Sequence, residues 1–152
     1  MKIRSAELFD AEIIAGFNCR LAAETEDRKL DPDLVLKGVY GMLEFPERGK
    51  YFVAELDGKA IGQTLITYEW SDWRNGNFWW IQSVYVAPDF RKKGVFRELY
   101  EHIKVAAETR RDVCGMRLYV EVENEKARNA YERLGMNSTP YRLYEMEFCR
   151  EP

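Results

Sequence analysis

Histidine is almost missing from this chain: among 152 residues only His102 carries an imidazole. A Ser-His-Asp triad, a Cys-His pair or a His-ligated metal would each have to use it, and nothing flanks it to complete such a set. His102 falls beside Ile103 and off the apolar stripe of its segment, so it reads as a solvated surface residue. Cysteine is nearly as scarce. Cys19, Cys114 and Cys149 stand far apart with no CxxC pair, which argues against a disulfide framework and a zinc site and suits a reducing compartment. Cys19 and Cys114 read as small core residues. No apolar run approaches the length of a membrane span, and "MKIRSAELFD" has no apolar stretch behind its charged start. The chain is therefore expected to be cytoplasmic, with no membrane partner. Strong charge of either sign is also lacking: a net charge of -3 removes the bulk basicity of a nucleic-acid binder. No repeat or linker interrupts the sequence, and 1–152 is expected to be one domain.

What is present reads as alternating elements. Met1 to Arg4 suggests a short edge strand. "DAEIIAGFNCRLAAE" follows with Ile13, Ile14, Phe17 and Leu21 on a helical stripe that Asp10 is placed to cap. "DPDLVLKGVYGMLE" predicts a second helix, with Pro32 at its start. "KYFVAEL" and "KAIGQTLITYEW" are strands joined by Asp57-Gly58, a dipeptide that type I′ turns prefer. Asn75-Gly76 turns the chain into a further strand. A helix is expected from about Gly94 to Arg111, a strand in "GMRLYVEV", a helix in "NEKARNAYERLG" and a last strand in "YRLYEMEF". The order β-α-α-β-β-β-α-β-α-β is an α/β layout with a mixed sheet.

Chemistry concentrates in "WWIQSVYVAPDFRKKGVFRELYEHI". A buried strand, Trp79 to Val86, is stopped by Pro88, and three cations and Gly94 then precede a helical run. A helix start offers unpaired N–H groups and partial positive charge, so a phosphate fits there. The plainer reading is that glycine serves the turn and lysine serves solubility. A second constellation, "VENEKARNAYERLGM", follows the strand at Leu118 to Val122. Asn124 taken alone is an N-cap, and Ala127 and Tyr131 are packing positions one turn apart.

Together the pieces are more specific. A hydrophobic strand, "VAP", R-x-x-G before a helix, then N-x-x-A-x-x-x-Y-x-x-x-G resembles the GNAT superfamily of acyl-CoA N-acyltransferases. The element order matches that fold over nearly the whole chain. The resemblance implies an α/β fold with a mixed, mostly antiparallel central sheet flanked by helices, whose splayed strands hold acetyl-CoA. It implies that the backbone of Val84, Tyr85 and Val86 pairs with the pantetheine arm as an added strand would. It places the pyrophosphate on Arg91, Lys92, Lys93, Gly94, Val95 and Phe96, with Arg97 next in the first helical turn. Asn124 would reach the pantetheine, and Tyr131 would protonate the departing thiolate, as a phenol with a pKa near ~10 is able to do.

Two positions depart from the family pattern. Phe96 stands where a small residue is usual, so its side chain must turn into the core. Gln82 stands where many members, including diamine acetyltransferases whose "TYD" and tryptophan resemble "TYEWSDW", carry a glutamate base. A neutral amide takes no proton. The acceptor is expected to be a cationic small-molecule amine, held by Glu24, Glu26 and Asp27 from one loop and Glu69 and Trp70, with Asp72 and Trp73, from another, beside Gln82. Glu26 or Glu69 would relay the proton through water. A non-catalytic acyl-CoA-binding domain and a protein N-terminal acetyltransferase are the alternatives. Members of the superfamily are commonly dimers, which extends to a homodimer here.

Overall fold

The computed structural model describes residues 1–148, so Cys149 lies outside the described residues. Two compact units divide the chain, 1–118 and 119 onward. The first opens with β1 (Lys2–Ser5), a 3-10 turn (Leu8–Asp10) and α1 (Ala11–Glu26). Asp10 does not cap α1 with its side chain. It faces back instead, where its Oδ2 accepts the Glu7 N–H at 2.8 Å and the Arg4 guanidinium at 2.7 Å. A nearly buried carboxylate is satisfied better by a cation and an amide than by one helix end. In α2 (Pro32–Leu43) the expected start is realised: Pro32 stands in the first turn and Asp31 accepts the Asp33 N–H at 3.0 Å.

A meander follows, β2 (Gly49–Leu56), β3 (Lys59–Ser71) and β4 (Gly76–Val86), then α3 (Val95–Glu108) and β5 (Val113–Arg117). Asp57 and Gly58 both take positive φ, 51° and 74°, as a type I′ turn requires. The sheet runs β1-β2-β3-β4-β5, antiparallel except for the parallel β4–β5 pair. Because side chains alternate along a strand, β2 serves both faces. Tyr51 and Val53 join Ala11, Ile14, Ala15, Val39 and Leu65 under α1 and α2. Phe52 points the other way and meets His102 of α3 edge-on, with ring centroids 5.4 Å apart. His102 is exposed, as its place off the stripe implies, while Leu99 and Ile103 of α3 are buried.

Four expectations are corrected. Cys19 and Cys114 are half-buried rather than core residues. The α3 helix stops at Glu108, and β5 stops at Arg117 instead of continuing to Val122. Arg117 is opposite Trp80, where the β4–β5 pairing ends, and the second unit begins two residues on at Tyr119. "YRLYEMEF" forms no strand, and Tyr141, Leu143, Tyr144, Met146 and Phe148 are exposed.

In the second unit the one regular element is α4 (Glu125–Arg133) among the described residues. Asn124 caps it by accepting the Ala127 N–H at 3.1 Å, and Gly135 ends it at φ 88°.

Candidate active site

Strand β4 departs from regularity in two places toward its end, and the chain beyond it turns sharply. β5 pairs with it only from Asn77 to Trp80, so from Ile81 to Val86 it has no strand on that side among the described residues. On its other side the register with β3 slips between Gln63 and Leu65, which are opposite Tyr85 and Gln82. Ser83 and Val84 therefore stand against Thr64 alone, which is a β-bulge, and Ser83 takes φ 48°. Past Val86, the 3-10 turn Pro88–Phe90 leads to Lys92 and Gly94, both left-handed at φ 61° and 84°.

Gly94 opens α3 with no side-chain cap on its amides. A Cβ on Gly94 would meet nothing within 4 Å, so the space over this helix start is open. Lys92 and Lys93 are exposed beside it, Arg97 is exposed on the first turn, and Val95 is buried below. Phe96 is half-buried with its ring 6.3 Å from that of Tyr100. A helix start without a side-chain cap, open space at Gly94 and three cations fit a polyphosphate group. The unpaired stretch of β4 likewise fits an amide-bearing arm laid along it.

Beneath the bulge lies a polar chain that the sequence reading did not pick out. Gln63, fully buried, donates from Nε2 to Asn18 Oδ1 at 2.6 Å and to the Ser83 carbonyl at 3.3 Å. Asn18 donates in turn to the Tyr51 hydroxyl at 3.0 Å. Burial pushes the Tyr51 phenol above its ordinary pKa, against hydrogen bonds with Asn18 and Ser83. Gln63 Oε1 is buried without a partner among the described residues. The Gln63-Thr64 pair inside the otherwise apolar "AIGQTLI" was the available signal, since buried amides need specific partners. Thr64 donates to the Gln82 carbonyl at 3.3 Å, and the Gln82 side chain donates to Thr67 Oγ1 at 2.5 Å.

The acidic residues expected around one acceptor are not gathered in one place. Glu24 and Glu26 belong to the last turn and a half of α1, and Asp27 is its left-handed C-cap. Glu24 pairs with Arg91 at 2.6 Å and accepts the Tyr85 hydroxyl at 3.2 Å. Arg91 also donates to the Val86 carbonyl at 2.8 Å and covers the Tyr85 ring, so this end of α1 belongs with the 91–96 turn. Glu69 lies at the other end of β4, opposite Phe78. Its Oε1 accepts from Arg117 at 2.9 Å, and its Oε2 accepts the Trp80 indole N–H. Phe78 and Val86 are eight residues apart, which in a strand is roughly 26 Å. One small ammonium cannot reach both groups. Trp70 and Trp73 are exposed at the Glu69 end.

The bed for that end is tight. A Cβ on Gly115 would stand 2.6 Å from the Phe78 ring, so glycine lets the ring lie against β5 while Arg117 stacks on it at 3.6 Å. In the second unit, burial pushes the Tyr131 phenol above its usual value, which keeps its proton in place at neutral pH. No helix among the described residues is long and apolar enough to cross a membrane.

Comparison with known proteins agrees with this geometry. The model of the acetyltransferase (GNAT) family matches residues 16–136. A crystal structure of a possible acetyltransferase from Clostridium difficile 630 is 47% identical, covers 98% of each chain and superposes with a TM-score of 0.93. Two more distant structures share the fold. A predicted acetyltransferase with acetyl-CoA from Clostridium acetobutylicum is 16% identical over 95% of each chain, TM-score 0.77. AAC(6')-Iy, in complex with the bisubstrate analogue CoA-S-monomethyl-acetylneamine, is 20% identical over 97% of this chain and 98% of its own, TM-score 0.78. No curated protein matches. The family match over most of the chain and the near-complete correspondence with a 47% identical relative show that this chain belongs to the GNAT family of acetyltransferases.

Proposed function

We propose that the chain transfers the acetyl group of acetyl-CoA to the primary amine of a small cationic molecule by direct attack, with both substrates held at β4. The observation that supports it best is β4 itself: one edge unpaired from Ile81 to Val86, a bulge at Ser83, and an uncapped helix start beyond. On this reading Val84, Tyr85 and Val86 offer backbone groups to the pantetheine arm. The amides from Arg91 to Arg97 hold the pyrophosphate, aided by Lys92 and Lys93. When bound, acetyl-CoA supplies an activated acyl group.

The phosphate end fixes the direction of the cleft. If phosphates take the Gly94 end, the acceptor belongs toward Gln82 and beyond it, on the side of Glu69, Trp70 and Trp73. Glu24, Glu26 and Asp27 then border the cofactor end. Aromatic faces and a carboxylate suit an ammonium group. An ammonium must lose its proton before attack, and Gln82, whose amide is bound to Thr67, takes none. Glu69, four residues along β3 from the partner of Gln82, stands ~13 Å away along the strand, so its relay to the amine runs through water. Asn124 and Tyr131 keep the roles the motif gives them, a hydrogen bond to the arm and a proton for the departing thiolate.

Mass spectrometry of the protein incubated with acetyl-CoA and a panel of polyamines, aminoglycosides and peptides is the test. Acetylation of a small cationic amine is expected, with kcat/KM rising from neutral to alkaline pH. Glu69→Gln should raise KM for the amine, whereas Glu26→Gln should not. Acetylation of peptide N-termini alone, or no released CoA thiol with any acceptor, would overturn the reading.

A further inference from the structure

We infer that Glu24, at the end of α1, is a positioning residue for acetyl-CoA, acting through Arg91 to hold the 91–97 turn; the inference rests on the reading that this turn takes the pyrophosphate. The turn needs a brace. Lys92 is left-handed at φ 61° without being a glycine, and Gly94 follows at φ 84°, so the amides that would face a phosphate are aimed by two unusual backbone positions. Glycine reaches that conformation freely. Lys92 persists in it only where its surroundings over-determine it.

The residue before Lys92 supplies that restraint. Arg91 is extended, at φ -67° and ψ 153°, and its side chain is held at three points. Its Nε donates to the Val86 carbonyl at 2.8 Å, which closes the 3-10 turn Pro88–Phe90 back onto the end of β4. Its Nη2 donates to Glu24 Oε2 at 2.6 Å, and the guanidinium lies 5.4 Å from the centre of the Tyr85 ring. Glu24 is fixed in turn. Its Oε1 accepts the Tyr85 hydroxyl at 3.2 Å, and Tyr85 is buried with its ring 5.0 Å from that of Phe17 of α1. One carboxylate thus ties the helix end to both the last residues of β4 and the turn beyond them.

The pairing also decides what Arg91 does. A guanidinium committed to a carboxylate and a carbonyl is turned toward α1, which leaves the phosphate charge to Lys92, Lys93 and Arg97, all exposed around Gly94. A planar fork meets those two acceptors at once, and an ammonium does not. The two roles open to Arg91 carry opposite signs. Were it a direct phosphate ligand, Glu24 would be a competing anion, and neutralising Glu24 would tighten acetyl-CoA. As a brace, it needs Glu24, and neutralising Glu24 loosens acetyl-CoA.

Calorimetry with acetyl-CoA and with S-acetylpantetheine, joined to steady-state kinetics, tests this on the full chain. Glu24→Gln should weaken acetyl-CoA roughly two- to fivefold, the scale of an ion pair whose side chains are 42% and 41% exposed. Arg91→Lys should weaken it about tenfold, because the bond to Val86 goes as well. The double variant should be no weaker than Arg91→Lys, since Glu24 acts through Arg91. Acetylpantetheine has no pyrophosphate, so its affinity should be the same in all of them, and KM for acetyl-CoA should rise while kcat is kept. Acetyl-CoA affinity that is unchanged or tighter in Glu24→Gln, or an equal loss for acetylpantetheine, would overturn the inference. Gly94→Val separates it from the reading beneath it: if that variant loses acetyl-CoA and Glu24→Gln does not, the brace is wrong and the phosphate site stands, and if neither does, both fall.

Discussion

Replacing Gln63 by leucine separates the stability of the polar chain under the bulge from its use. The substitution nearly conserves volume at a fully buried site, and it removes Oε1, which has no partner among the described residues. Relief of a buried unsatisfied acceptor is worth about 1 to 3 kcal/mol. Against this stand the bonds to Asn18 Oδ1 and the Ser83 carbonyl, of which the second is long at 3.3 Å. Each such bond contributes about 0.5 to 1.5 kcal/mol net, so the two sides cancel to within about 1 kcal/mol. Asn18→Leu has no such relief. It strips the 2.6 Å partner from Gln63 Nε2 and the donor from the Tyr51 hydroxyl, leaving Oε1 orphaned as before. That should cost about 1 to 3 kcal/mol, or roughly 2 to 10 °C in Tm for a chain of this size. Function should follow the opposite order of surprise: Gln63→Leu, though stable, releases the Ser83 carbonyl and should lower kcat/KM on the order of tenfold, about 1.4 kcal/mol in the barrier. Thermal melts and steady-state kinetics on both variants read this directly. A Gln63→Leu protein less stable than Asn18→Leu, or one with unchanged kcat/KM, would refute the reasoning.

Gly94→Val places a branched side chain in the left-handed region and in the open space above α3; strain of about 1 to 2 kcal/mol is expected, with a larger loss of acetyl-CoA affinity by calorimetry, about 1.5 to 3 kcal/mol for each charged hydrogen bond lost. Unchanged affinity in a folded variant would remove the phosphate assignment. Tyr131→Phe deletes one hydroxyl and should lower kcat on the order of 10² while calorimetric acetyl-CoA affinity is kept; equal kcat would leave Tyr131 a packing residue.

Local signals read well where the residue type forces the backbone. Asp57-Gly58 and Gly135 took the left-handed conformations their types favour, and Pro32 behind Asp31 marked the start of α2. Signals that depend on a partner elsewhere read badly. The run from 118 to 122 and the alternation of 141–148 are strand-like in themselves, but a strand exists only as a ladder, and neighbours are not written in the segment. Asp10 failed for a related reason: its rank as a helix cap says nothing of Arg4, six residues back, which claims the carboxylate at 2.7 Å. The two acidic stretches looked like loops on one cleft because sequence gives charge and not direction. In the structure they are the end of a helix and the end of a strand.

The bulge is the hardest feature to read and the one on which the site turns. Ser83 carries no glycine signal, and a non-glycine residue at φ 48° inside a strand costs of order 1 to 3 kcal/mol unless its surroundings over-determine it. The surroundings do so here through residues 18, 51 and 63, drawn from α1, β2 and β3, none near Ser83 in sequence. A bulge also increases local twist. β5 is matched to β4 only through Trp80 among the described residues, so the edge that the proposed reaction needs runs from Ile81 across the bulge. An all-apolar core at positions 18, 51 and 63 would remove the orphaned Gln63 Oε1, but it would take the Gln63 donor from the Ser83 carbonyl. Buried amides are kept at that site because they fix where β4 bends, which is a requirement of position rather than of stability.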